Sequence, residues 1–208
     1  MKLKFKIQQY QTDAVESTVG VFNGQDNQDL LKYKIDRGTV YVETDENRKA
    51  QQGELFDYTG YKNGAVKLTE QDLLANIHHI QTNNNIHLSS EVKKQLGACQ
   101  LDIEMETGTG KTYVYIKTMF ELNKRYGWTK FIVVVPSIAI REGVKKSFDI
   151  TQDHFMEQYG KKARYFVYNS DNLNQIDTYS QSADISVMII NTQAFNTSLK
   201  EGAKNKAA

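Results

Sequence analysis

The sequence predicts an α/β fold, a doubly wound parallel sheet flanked by helices, in the second half of the chain. Three observations support this prediction: short apolar runs typical of strands, helical patterns between them, and a glycine-rich loop after the first strand. Buried strands that alternate with helices indicate a parallel sheet covered on both faces. The four predicted strands are Leu101–Glu104, Phe131–Val135, Tyr165–Tyr168 and Ile185–Ile190.

The part of the chain before the glycine-rich loop has weaker patterns. Apolar residues at helical spacing predict a helix over residues 9–22, and we expect it to pack onto the α/β core. The segment Tyr33–Glu43 alternates enough to suggest a hairpin. Thr69 followed by Asp72 resembles a capping box and predicts the start of a second helix. A short third helix is expected to reach Leu96.

The part after the loop has stronger patterns. Helices are predicted near residues 111–124, 138–149 and 172–180, each lying between two predicted strands. Pro136, the single proline, directly follows the second strand, where it ends the strand and begins the next loop. This order of elements is the basis of the α/β prediction.

Composition sets broad limits on function. Apolar residues make up 39% of the 208 residues and charged residues 25%, as in an ordinary globular chain. The net charge of +1 means that nucleic-acid binding requires a local basic patch. The single cysteine, Cys99, excludes an internal disulfide framework and suits the cytoplasm, where we expect the protein. No apolar run approaches 18 residues, so we expect no transmembrane helix.

The loop Thr107–Thr112, Thr-Gly-Thr-Gly-Lys-Thr, carries the strongest functional signal. Gly108 and Gly110 let the backbone turn tightly and bring its N–H groups close to an anion. These groups and the following helix N-terminus form an electropositive cradle. Lys111 is expected to reach the β- and γ-phosphates as a catalytic residue, and the Thr112 hydroxyl to bind Mg²⁺.

The loop departs from the strict eight-residue phosphate-loop pattern at its first position, where Met105 stands instead of glycine. A glycine-rich turn with an exposed lysine is therefore the alternative. The predicted phosphate-binding residues are Thr107, Gly108, Thr109, Gly110, Lys111 and Thr112.

Three further segments narrow the class of nucleotide-binding protein. The Gln11 amide both donates and accepts hydrogen bonds, which suits an adenine edge; the alternative is a solvated glutamine on an amphipathic helix. Two loops that follow predicted strands are candidates for contacts to a nucleic-acid backbone, and structural loops or helix caps are the alternative. Their candidate residues are Pro136, Ser137 and Arg141 in the first loop, and Thr192 and Gln193 in the second. For Arg141, pairing with a neighbouring acid is a further alternative.

In order and spacing, five stretches together resemble the start of the Res subunit of type III restriction–modification enzymes, which are helicase-like ATPases of superfamily 2. These stretches are Phe5–Val15, Val21–Gln25, Asp102–Thr112, Val135–Glu142 and Ile190–Phe195. The resemblance implies a RecA-like P-loop NTPase core, with ATP and Mg²⁺ as cofactors and Gln11 as the adenine-reading residue. It also implies double-stranded DNA as substrate, a modification (methyltransferase) subunit as partner and DNA contacts from both loops.

Alternatives remain open. The type I restriction motor subunit is a close relative, but its nuclease region precedes the motor, whereas the glutamine segment here begins within the first dozen residues. Another superfamily 2 helicase is also possible. From a different class, a small-molecule kinase or another non-motor P-loop nucleotide-binding module fits the loop alone.

Motors of this kind need a further acidic motif, Asp-Glu-x-x, on a later strand. The sequence has one Asp-Glu pair, Asp45-Glu46, and it lies upstream of the loop. We therefore expect an incomplete first motor lobe without the acidic motif or the nuclease, which by itself does not hydrolyse ATP. The expected organisation is an adenine-motif helix at residues 1–23, an insertion at 24–97, a partial P-loop ATPase core at 98–196 and a polar tail at 197–208.

Overall fold

The structure, a computed structural model, describes residues 5–27, 34–35, 60–94, 97–169 and 174–193. Five helices and five strands are assigned within these ranges. The helices are α1 (Gln9–Gly20), α2 (Glu70–Asn83), α3 (Lys111–Tyr126), α4 (Ile138–Tyr159) and α5 (Asn174–Gln181). The strands are β1 (Lys34–Ile35), β2 (Gly60–Tyr61), β3 (Lys130–Val135), β4 (Arg164–Val167) and β5 (Ser186–Asn191).

The central sheet has three parallel strands in the order β3-β5-β4. Five of the six residues of β5 are buried, as expected for a middle strand covered on both faces. The register pairs Val135 at the end of β3 with Asn191 at the end of β5. The predicted α/β fold is therefore confirmed, and three of the four predicted strands lie within one residue of the observed ones.

Helices flank both faces of this sheet. On one face, α3 and α4 pack onto β3 and β5 through a core that includes Ile116, Phe155 and Val187. The ring of Phe155 lies between α3 and α4, 4.8 Å from that of Phe120. On the other face, Tyr179 of α5 contacts Phe166 of β4 edge to face, at 5.8 Å between ring centroids.

Helix α1 packs onto α3, as the sequence predicts. Val15 and Val19 are almost fully buried and join a cluster with Val114 and Tyr126 of α3. The Tyr126 hydroxyl donates to the Val19 carbonyl at 3.0 Å. The predicted capping box of α2 is also confirmed, with the Thr69 side chain and the Asp72 carboxylate each bonded to the other's backbone N–H.

The prediction of a strand at Leu101–Glu104 is wrong in this structure, because no strand is assigned there. Apolar–polar alternation indicates that one side is buried, but it does not indicate a neighbouring strand to pair with. Leu101 and Met105 are held instead by two apolar clusters that include residues of α1 and α2. The phosphate-loop candidate therefore follows a segment anchored by helices.

Two further predictions concern the segments before the loop: one is wrong and the other lies mostly outside the described residues. The short helix expected to reach Leu96 is absent over residues 89–94, which the structure describes without helix. The proposed hairpin at Tyr33–Glu43 lies mostly outside the described residues, and its described part, β1, pairs antiparallel with β2. No helix in the described ranges is long and apolar enough to span a membrane.

Candidate phosphate-binding site

The loop before α3 has the backbone shape that its glycines predict. Gly108 and Gly110 adopt positive φ angles of 84° and 86°, a region that side-chain-bearing residues rarely enter. Gly110 is the N-cap of α3. Its carbonyl accepts a hydrogen bond from the Val114 N–H at 3.0 Å. No side chain caps this end. The N–H groups of the first turn are therefore directed toward the loop, where an anion would bind.

The Lys111 side chain folds back onto its own loop. Its Nζ donates to the carbonyls of Met105 at 2.9 Å and Glu106 at 2.8 Å. The residue is exposed, so these bonds compete with water and contribute little stability. A phosphate group would be a stronger acceptor for the ammonium, because its oxygens carry negative charge, whereas the present carbonyl acceptors are neutral.

Gln11 lies directly against the loop. Its Nε2 donates to the carbonyl of Thr109 at 2.9 Å, and the Tyr10 hydroxyl donates to the same carbonyl at 3.3 Å. A Cβ added to Gly110 would stand 2.6 Å from the Gln11 Nε2, so only glycine fits at this position without displacing Gln11. The residue predicted to read adenine and the loop predicted to hold phosphate therefore form one unit.

The other predicted loop residues differ in accessibility. Thr107 and Gly108 are exposed, while Thr109 and Thr112 are half-buried. The Thr109 hydroxyl donates to the Glu106 carbonyl at 2.6 Å and closes the turn. Thr112 lies in the first turn of α3, directly after Lys111. It therefore has the sequence neighbours that an Mg²⁺-binding hydroxyl beside a triphosphate requires.

An open cleft of about 520 Å³ lies beside the loop. It is lined by Ile103, Glu104, Met105, Glu106 and Lys111. Two carboxylates and one ammonium give this cleft a net negative formal charge. An unscreened triphosphate would be repelled by the carboxylates, so a divalent cation bound to the phosphates favours entry.

The structure brings the two candidate DNA-contacting loops together. Val135 and Asn191 are register partners in adjacent parallel strands, so the segments that follow them leave the same edge of the sheet. In the segment after β3, Pro136 and Ser137 are exposed. In the segment after β5, Thr192 is half-buried and Gln193 is exposed. Ligands of open α/β sheets bind at this carboxyl edge.

Two of these residues also have structural roles. The Ser137 hydroxyl accepts a hydrogen bond from the Ile140 N–H at 3.3 Å and caps α4, which leaves its own proton available to a phosphate oxygen. Arg141 pairs with Glu142 at 3.2 Å, as the alternative in the sequence analysis anticipated. Its Nε is buried without a hydrogen-bond partner among the described residues. The guanidinium would therefore have to turn outward to contact DNA.

Several contacts near the loop have no sequence signal. Tyr10 is one residue from Gln11, yet the sequence does not indicate that its hydroxyl contacts the loop. Lys117 of α3 and Thr12 of α1 are 105 positions apart and hydrogen bonded at 3.4 Å. Thr12 lies in the Phe5–Val15 stretch, but nothing in that stretch indicates Lys117 as its partner, and only the packing of α1 onto α3 brings the two residues together.

The parallel sheet, the flanking helices and the glycine loop at the start of α3 define a RecA-like, helicase-type domain. The family described as "Type III restriction enzyme, res subunit" matches residues 4–208, and the chain belongs to this family. It is 40% identical over 110 residues to the type III restriction-modification enzyme EcoP15I Res subunit of Escherichia coli, covering 52% of this chain and 11% of that protein.

Two further relatives agree with this assignment. The EcoPI Res subunit of Escherichia phage P1 is 38% identical over 111 residues, or 52% of this chain and 11% of the relative. The StyLTI Res subunit of Salmonella typhimurium (strain LT2) is 41% identical over 86 residues, or 40% of this chain and 9% of the relative. The matches thus span about a tenth of the length of these relatives.

Proposed function

We propose that this chain is the ATP-binding part of a DNA-translocating restriction endonuclease motor of the type III Res kind. The observation that carries the proposal is the 2.9 Å hydrogen bond from Gln11 to the carbonyl of Thr109. This bond joins a side chain suited to adenine to a loop suited to phosphate. A site that binds phosphate without selecting the base does not require such a bond. Membership of the Res family supports the same assignment.

In this proposal, different residues bind the phosphates, the Mg²⁺ ion and the base of the nucleotide. Backbone N–H groups of the loop from Thr107 to Gly110 hold the phosphate oxygens, and Lys111 exchanges its two carbonyl acceptors for the β- and γ-phosphates. The Thr112 hydroxyl binds Mg²⁺, which screens the phosphates from the carboxylates of the cleft. Gln11 selects adenine. When bound, ATP with Mg²⁺ supplies the phosphoryl group whose hydrolysis drives movement along DNA.

Double-stranded DNA is the proposed substrate at the carboxyl edge of the sheet. Neighbouring exposed groups of Ser137 and Gln193 suit the phosphate–sugar backbone, because backbone contacts position a protein without reading sequence. Pro136, Arg141 and Thr192 complete the proposed contact set. In the full-length complex, the partner is a modification (methyltransferase) subunit.

A non-motor P-loop module is the competing function. A motor and a non-motor module differ in how DNA affects their activity. In a longer protein that includes the acidic motif, a motor hydrolyses ATP faster when duplex DNA is added. A DNA-independent phosphoryl transfer to a small molecule would instead favour the kinase reading.

We predict that Gln11→Ala weakens ATP binding and leaves GTP binding nearly unchanged. Losing a hydrogen-bonded pair to a buried base should cost roughly 1–3 kcal/mol. The measurement is a calorimetric titration of both nucleotides with Mg²⁺. Gln9→Ala is the matched control, because Gln9 lies in the same turn of α1 but bonds to Asp13. Equal losses for ATP and GTP would remove the adenine role from Gln11.

We also predict that the 208-residue chain binds ATP but hydrolyses it negligibly. The phosphate loop binds the nucleotide, whereas positioning the attacking water calls for an Asp-Glu motif on a later strand. The one Asp-Glu pair in the sequence, Asp45-Glu46, lies upstream of the loop. Phosphate release is measured with and without duplex DNA. A DNA-stimulated rate that disappears in Lys111→Ala would contradict this prediction.

A further inference from the structure

Lys117 is a buried lysine to which the proposed phosphate chemistry gives no role. It lies on α3 between Lys111 and the end of the helix, and only 8% of its surface is exposed. Its Nζ donates to the Thr12 hydroxyl at 3.4 Å, and that hydroxyl donates in turn to the Gln8 carbonyl at 3.3 Å. A relay of two hydrogen bonds therefore connects α3 to the turn of α1 that carries Gln11.

Burying this ammonium is costly unless hydrogen bonds compensate it. Within the part of the chain that the structure describes, Lys117 makes no ion pair, and Thr12 is the acceptor recorded for it. The Lys117 charge is also felt by His154 of α4: burial lowers the pKa of His154, Glu157 raises it and Lys117 lowers it further. The bond to Thr12 directs the lysine into the interface between α1 and α3.

Apolar packing alone does not fix how α1 is rotated on α3. Val15 and Val19 hold the two helices together through contacts that have no direction. Hydrogen bonds do have direction, and three side chains of α3 donate them to α1: Tyr126 to the Val19 carbonyl, Arg125 to the Glu16 carboxylate and Lys117 to the Thr12 hydroxyl. Of these three, the Lys117–Thr12 bond is the nearest in sequence to Gln11, one residue away. A rotation of α1 about its axis would move the Gln11 amide away from the loop and would break the Lys117–Thr12 bond.

We propose that Lys117 and Thr12 are positioning residues for base selection: they fix the rotation of α1 so that the Gln11 amide faces the adenine edge. This inference rests on the proposed ATP-binding function. ATP and GTP share the same triphosphate and differ in the base. The inference therefore predicts that changes at Lys117 and Thr12 alter the preference for ATP over GTP. Neither residue touches the nucleotide in this scheme.

The test is the ratio of the GTP and ATP dissociation constants, with Mg²⁺ present and inorganic tripolyphosphate as the base-free reference. Thr12→Val removes the hydroxyl at constant shape, and we expect it to weaken ATP by about three- to tenfold while GTP and tripolyphosphate change less than about twofold. Thr12→Ser restores the hydroxyl and should restore the ratio. Thr18→Val is the matched control, since Thr18 makes the same type of bond to the carbonyl four residues earlier, that of Ala14.

A double-mutant cycle separates the hydrogen bond from the charge. Lys117→Met should lower the GTP/ATP ratio as Thr12→Val does, and the double variant should lower it no further, because both changes break the same bond. The loss of charge affects both nucleotides alike and cancels in the ratio. Independent, additive effects, or a loss in Thr18→Val equal to that in Thr12→Val, would overturn the inference.

The variant Gln11→Ala distinguishes a failure of the positioning role from a failure of the proposed ATP site. If Gln11→Ala lowers the ratio and Thr12→Val does not, the positioning role fails and the proposed ATP site stands. If Gln11→Ala leaves the ratio unchanged, or if the chain does not bind ATP, the proposed adenine-reading site fails and the positioning role fails with it.

Discussion

Replacing Gly110 by alanine should damage the nucleotide site more than any other single-methyl change in the loop. Its φ of 86° costs an alanine roughly 1–2 kcal/mol. The new Cβ would also stand 2.6 Å from the Gln11 Nε2 and displace the side chain from the Thr109 carbonyl. We expect the free energy of unfolding to fall by about 2–3 kcal/mol in total. ATP binding should weaken by at least about tenfold, since the loop and Gln11 are both disturbed.

Gly108→Ala is the matched control for this change. Gly108 has nearly the same φ, 84°, but an added Cβ would meet nothing within 4 Å. Both variants share the backbone strain, so the difference between them measures the displacement of Gln11. In a Gln11→Ala background that difference should vanish in both urea unfolding and ATP titration. A difference that persists without the Gln11 side chain would contradict this explanation.

The sequence alone was sufficient for the elements whose signal is local. The apolar run Ile185–Ile190 predicts a buried strand, and the observed strand β5, Ser186–Asn191, is the middle strand of the sheet. Thr69 and Asp72 are three residues apart, so their capping box depends on nothing distant. The glycines of the loop likewise predict its positive φ angles, because residues with a side chain rarely adopt them.

The errors and omissions concern contacts between distant parts of the chain. The alternation at Leu101–Glu104 gives no information about which element covers its apolar side, and apolar clusters that include helical residues cover it instead of a second strand. The Lys117–Thr12 bond arises only when α1 packs beside α3. The adenine role of Gln11 stays a prediction from its motif, whereas its bond to Thr109 follows from the packing of α1 and has no local signal.

Lys111→Ala should cause the largest loss of nucleotide affinity. Two unit charges about 4 Å apart interact by roughly 4 kcal/mol at the effective dielectric of a protein surface. Part of this gain is offset, because Lys111 must give up its bonds to the Met105 and Glu106 carbonyls when it turns to the phosphates. We therefore expect ATP, GTP and tripolyphosphate all to bind about 100-fold more weakly.

The controls for Lys111→Ala test both charge and folding. Lys145→Ala removes an equal charge from an exposed position on α4 outside the loop, and it should change affinity by less than about twofold because salt screens exposed charges. Lys111 is exposed and its two bonds end on neighbouring loop carbonyls, so the thermal midpoint should shift by only a few degrees. A Lys111→Ala protein that is folded and binds ATP as tightly as the Lys145→Ala protein would show that this loop does not hold the phosphates. Loss of ATP alone, with tripolyphosphate binding retained, would place Lys111 beside the base and require the proposed orientation of the nucleotide to be reversed.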